Sequence, residues 1–205
     1  RGYSFLNEEK LGQRVFSSLF TLIDDPERRE TFPLRYDLMG IPRKPFPLFE
    51  DGIFKAFYWE QDDADEFGAT PTGHTVDHLN LCMAGGEYSL PGLEELLAMP
   101  RDEDILYIPY LHYMNIVNPS EGMITGSSRF GTLLLKKDGS VQVPYNVRIT
   151  QTFADLFGEN VEWLAQEQTV HNTSSSYGKR NPSAILLPRF MCVRGIDISH
   201  SNSSY

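Results

Sequence analysis

Basic charge is what this sequence is shortest of: 18 Lys and Arg stand against 28 Asp and Glu, a formal net charge of -10 over 205 residues. No basic run interrupts the deficit. The clustered cations that neutralise a phosphate backbone are therefore missing, and nucleic acid is excluded as a partner. Long apolar runs are missing too. The nearest approach, "ILYIPYLHYMNIV" from Ile105 to Val117, is too short and too polar for the roughly 20 residues a membrane helix needs, so no membrane insertion is expected. Cysteine is scarce. Cys82 and Cys192 cannot build a disulfide scaffold, and their apolar settings read as buried free thiols, with a single bridge left open. Phosphate-cradling glycine loops, dinucleotide fingerprints, zinc-type cysteine pairs and nucleophile elbows are all lacking, and no cofactor is expected. The opening "RGYSFLNEEK" has neither Met nor an apolar signal core and reads as a trimmed form. With sequons at Asn172 and Asn202 besides, the compartment stays unassigned.

What is present is a folding composition: 40% hydrophobic residues, with 13 Phe, 10 Tyr and 2 Trp. One α+β domain over residues 1–205 is expected. Leu11, Val15, Leu19, Leu22 and Ile23 form a helical stripe in "EEKLGQRVFSSLFTLID", and "DDPERRETF" carries a second helix start, placing N-terminal helices at about 8–31. Pro33, Pro42, Pro45 and Pro47 then make an irregular segment of about 32–52, too apolar to be a solvated linker. A short helix is expected in "SLPGLEELLAMP", and strands dominate the rest. The strongest local signal is Asp138-Gly139 between two apolar runs, which suits a tight hairpin. A peripheral tail is expected from about residue 196. This order predicts N-terminal helices packed on a curved antiparallel sheet that encloses a pocket, or alternatively a β-barrel with a helical cap.

Chemistry has to come from the histidines. His74 and His78 in "GHTVDHLNLC" share a face at a spacing of four in either a helix or a strand, and the β-branched Thr75 and Val76 favour strand. His112 projects from an apolar row, where an imidazole must find hydrogen-bond partners, and His171 stands at a strand end. With Asp77 to set a tautomer, His78 and His112 are the candidate acid and base, and His74 and His171 support them. Tyr110, Trp59 and Phe57 would line an aromatic pocket. The expected function is a lyase, isomerase or cyclase acting on a small, largely apolar molecule. The alternatives are a non-catalytic small-molecule-binding or assembly protein and a His-ligated metal-dependent enzyme, although the two-histidine stretch alone supplies too few donors for a metal. A small-molecule ligand is the expected partner, and a homo-oligomer stays open.

Overall fold

The structure, a computed structural model, describes residues 4–76, 78–174 and 183–200. The chain divides into two compact units. One consists of residues 10–89 and 163–191, and the other of residues 90–162 with stretches from both ends of the chain.

In the first unit the expected N-terminal helix does not form. A 3-10 turn, Glu8–Lys10, precedes it, and Gly12 takes a left-handed φ of 77°. The following backbone donates to another segment instead of to itself: Gly12 N–H to Phe54 O, and Val15 and Phe16 N–H to Gly52 O. Phe16 and Phe20, beside that stripe, turn inward together. They meet Phe49, whose ring centroid lies 4.9 Å from Phe16 and 5.4 Å from Phe20, while Leu11 and Leu19 are left exposed. Tertiary aromatic burial, at roughly 1.5–3 kcal/mol per ring, outweighs a helical preference of a few tenths per residue. The second helix shrinks to the 3-10 turn Arg29–Thr31, stopped by Phe32 at φ 56°.

A six-stranded sheet organises this unit in the order Gln168–Asn172, Ala184–Pro188, Leu81–Met83, Leu22–Asp24, Phe46–Glu50, Ile53–Phe54. Its pairings are antiparallel except that of Ala184–Pro188 with Leu81–Met83, where Leu186 faces Cys82. The acidic "QDDADEF", which carries no apolar stripe, is a helix, Gln61–Phe67, ended by Gly68 in the left-handed region.

The second unit holds two sheets. One has the order Ile198–His200, Val147–Thr152, Met123–Ser128, Leu111–Asn118, and the other Ile105–Tyr107, Leu133–Leu135, Val141–Gln142. The helix Leu93–Ala98 forms as expected. A further helix, Phe153–Phe157, starts at a capping box in which Thr152 and Asp155 satisfy each other's backbone N–H. The hairpin lies where Asp138-Gly139 placed it, but only Gly139 has positive φ. Gly139 N–H bonds Lys136 O and Lys136 N–H bonds Ser140 O, giving a longer loop that ends in a bulge. Beyond it, Val143 and Tyr145, which alternate with polar residues in the sequence, are 80% and 88% exposed. Ile198–His200, within the expected tail, pairs with the Val147–Thr152 strand.

The fold-class expectation is thus corrected. The chain is mainly sheet, with neither N-terminal helices on one curved sheet nor, among the described strands, a closed barrel capped by helices. No helix among the described residues is long and apolar enough to cross a membrane.

Candidate functional site

The antiparallel register of the six-stranded sheet sets Asp24, the last residue of its strand, opposite Phe46 and Leu81, the first residues of both neighbouring strands. The segments entering those strands bring Arg43, His74 and Asn80 to the same place. All four side chains are buried, Asp24 completely. Arg43 Nη2 donates to Asp24 Oδ1 at 3.1 Å and Oδ2 at 3.2 Å, and to His78 O at 2.9 Å. Its Nη1 donates to Asn80 Oδ1 at 3.0 Å and Leu34 O at 3.1 Å. Asn80 N–H gives a further bond to Asp24 Oδ1 at 2.8 Å, and its amide reaches Thr31 O at 2.6 Å.

His74 joins through Nδ1, 2.7 Å from Asp24 Oδ2, while Nε2 lies 3.0 Å from Lys44 O. Both nitrogens face acceptors, and only a ring protonated at both satisfies the two contacts. Tyr58 stacks on it at 5.7 Å and 9°, and the Phe46 ring is 4.9 Å away. Burial, and then the negative Asp24, hold the Tyr58 phenol far above its ordinary value. Its hydroxyl lies near Asp24 without reaching hydrogen-bond geometry. The His–Asp pair resembles an acid–base dyad, yet Nε2, the nitrogen a general base would turn to a substrate, is taken by a carbonyl. The arrangement fastens three strand ends together.

The other sequence candidates are placed separately. His78 is half-buried, its N–H bonding Thr75 O, and the described residues of the "GHTVDHLN" stretch are loop and not strand; its two imidazoles do not share a strand face. Asp77 lies outside the described residues. His171 is exposed on the Gln168–Asn172 strand opposite Ile185. Phe57 and Trp59 belong to the aromatic run that continues from Phe54, with centroids 4.8 Å and 6.4 Å apart in turn. His112 is in the second unit, half-buried, with Tyr110 beside it at 6.1 Å. Asp24, Arg43 and Asn80 were not singled out by sequence reasoning. The available signal was an Arg between Pro42 and Pro45 in a segment too apolar for a solvated linker, and an Asn on the alternating row of His74 and His78.

Metal ligation was tested on these donors. Among the described residues no three His, Cys, Asp or Glu side chains are grouped to hold an ion. The buried pair of Asp24 with His74 has both carboxylate oxygens engaged and a guanidinium against them, which repels a second cation. A metal does not fit there. Cys82 and Cys192 are free thiols, and burial pushes Cys82 up to about 11.

The fold is shared with solved structures. TldE from Thermococcus kodakarensis superposes with a TM-score of 0.72 at 20% identity, covering 97% of this chain and 45% of its own. Two proteins described as candidate modulators of DNA gyrase are also similar. That of Bacteroides thetaiotaomicron has a TM-score of 0.69 at 20% identity, with 98% of this chain and 40% of its own covered. For that of Thermotoga maritima the values are 0.71, 20%, 97% and 43%. The chain thus spans less than half the length of each. A comparison with curated proteins finds no match. A family profile described as the PmbA/TldA metallopeptidase C-terminal domain matches residues 1–200. Peptidases are hydrolases, so the expected lyase, isomerase or cyclase chemistry on a small apolar molecule is overturned, and with it the small-molecule-binding alternative. The chain belongs to the PmbA/TldA metallopeptidase C-terminal domain family.

Proposed function

We propose that this chain serves peptide-bond hydrolysis as one domain of a longer metallopeptidase, and that the metal donors are completed by polypeptide other than its described residues. The observation that carries the reading is the family match over residues 1–200. The lack of any three-donor group among the described residues, and the cation-blocked Asp24–His74 pair, support the second half. On this reading the substrates are polypeptides, and the neighbours are protein domains of a longer chain or a partner subunit.

The test is calorimetric titration of zinc chloride into chelator-treated protein, with cleavage of unfolded casein followed in parallel. The expected result is no stoichiometric binding tighter than about 10 μM and no cleavage by the chain alone, an affinity about two to seven orders of magnitude short of structural zinc sites. A one-to-one zinc complex that cleaves casein would overturn the division of labour.

A further inference from the structure

The second unit contains a cluster that the buried network does not explain. Residues 105–120 form the longest stretch of the sequence without Asp, Glu, Lys or Arg, sixteen residues in a chain of net charge -10. They supply the strand Leu111–Asn118, the end strand of its sheet, whose outer side has no partner among the described strands. An uncharged edge is unusual, because natural edges are generally protected by charge. Here the strand carries register shifts between His112 and Asn115 and between Ile116 and Asn118. Such bulges re-aim side chains and recur beside binding sites.

The first shift contains Tyr113, at φ 51°, and Phe130 beyond the neighbouring strand has φ 59°. Both backbones suit glycine, and both hold an aromatic ring that is mostly exposed, 63% and 74%. Between them lies His112, 4.1 Å from the Tyr113 ring and 6.5 Å from Phe130. Its Nδ1 is buried and has no hydrogen-bond partner. The Arg129 guanidinium sits 5.3 Å over Tyr113 and gives an acidic protein a local cation here. Backbone strain, exposed rings and an unmet polar atom coincide at one spot, the combination that ligand clamps use.

We propose that Tyr110, His112, Tyr113 and Phe130 dock an aromatic or large apolar side chain of an extended polypeptide. The choice of a polypeptide rests on the peptidase reading above. The rings supply a stacking surface, the bulged edge leaves main-chain groups open, and Arg129 favours carbonyl oxygens or a carboxylate over a cationic ligand.

The probe is an acetylated, amidated heptapeptide with one Phe at the centre of a Gly/Ser/Thr background, compared with its central-Ala counterpart. Both are titrated into the whole chain and followed by NMR. The Phe peptide is expected to bind at least tenfold more tightly and to shift the His112, Tyr113 and Phe130 ring signals while those of His74 stay fixed. Tyr113→Ala should weaken it at least fivefold. If that variant fails to fold, Phe130→Ser, at a more exposed position, should do the same. Equal affinity for the two peptides, shifts located elsewhere, or ring signals that move with protein concentration in the absence of peptide, as self-association would produce, each overturn the proposal. No bond is cut in this measurement, so its failure leaves the hydrolase reading standing, and zinc binding by the chain would leave the docking result standing.

Discussion

Replacing Arg43 by Met should remove a large share of the first unit's stability. The side chain is fully buried and supplies five hydrogen bonds: two to Asp24, one to Asn80, and two to the carbonyls of Leu34 and His78. Taking away one partner of a buried ion pair costs about 3–5 kcal/mol, because the other charge is left without compensation. Each abandoned acceptor adds about 1 kcal/mol where water cannot reach it. Asn80 N–H and His74 still hold Asp24, which argues for the lower part of the range. With the three acceptors Asn80 Oδ1, Leu34 O and His78 O abandoned, a loss of about 6 kcal/mol is expected, against the 5–15 kcal/mol typical of a domain. With a urea slope of about 2 kcal/mol/M, the unfolding midpoint should fall by about 3 M. Trp59 and Trp163, the chain's two tryptophans, both lie in this unit and report the transition by fluorescence. In the double variant with Asp24→Asn the stranded charge disappears, so the two effects should combine to less than their sum by at least about 1 kcal/mol. A midpoint for Arg43→Met within 0.3 M (about 0.6 kcal/mol) of the parent would refute the assignment of the network as the fastening of the three strand ends.

Other outcomes follow from the same structure. Gly52→Ala should cost several times more than Gly139→Ala in a melting comparison, since a Cβ at Gly52 would stand 2.2 Å from Phe16 O whereas Gly139 has open space, both φ being positive; equal losses would contradict this. Alkylation of the native protein at pH 8 should modify Cys192 well before Cys82, which is buried with its thiol raised to about 11; mass spectrometry showing Cys82 labelled first would be decisive against it. The hydrogen bond from Lys136, then that from Lys137 N–H, holds the Asp104 carboxyl below its ordinary value. A depressed carboxyl contributes stability above its unfolded value, about 3.9, and loses it as pH falls through the folded one. Carboxyl NMR titration should therefore find the Asp104 midpoint depressed, and raised again in Lys136→Met; an unchanged midpoint in that variant would count against the pair.

Much of the strand content could be read directly. Gln168–Asn172, Ala184–Pro188 and Met191–Val193 fall in runs whose β-branched and apolar residues favour strand, whereas the spacing of Val161, Leu164 and Ala165 suits a helix equally well, and the Gly139 turn was visible for the φ it needs. The N-terminal stripe misled because Phe16 and Phe20 satisfy a helical spacing and a loop wrapped on the Phe49 hairpin equally well; only the partner segment, some 30 residues later, decides. The Gln61–Phe67 helix was hidden because it buries only Ala64, leaving no stripe to see. The polar centre joins residues 19, 37, 50 and 56 positions apart, and no local pattern encodes such meetings. The histidines were legible as unusual, but their partners were not. Membership of a metallopeptidase family was not legible at all, since the residues that would announce a metal do not occur here as a motif.

The sheet's one parallel pairing matters for how the chain is made. Leu81–Met83 emerges from the ribosome about a hundred residues ahead of Ala184–Pro188, the strand that flanks it. At about 5–20 residues per second, that side of the nascent sheet waits for roughly 5–20 s with an apolar row open to other chains. Slower elongation across residues 90–162 would lengthen that interval, and a chaperone that shields bare strand margins has its window of use there.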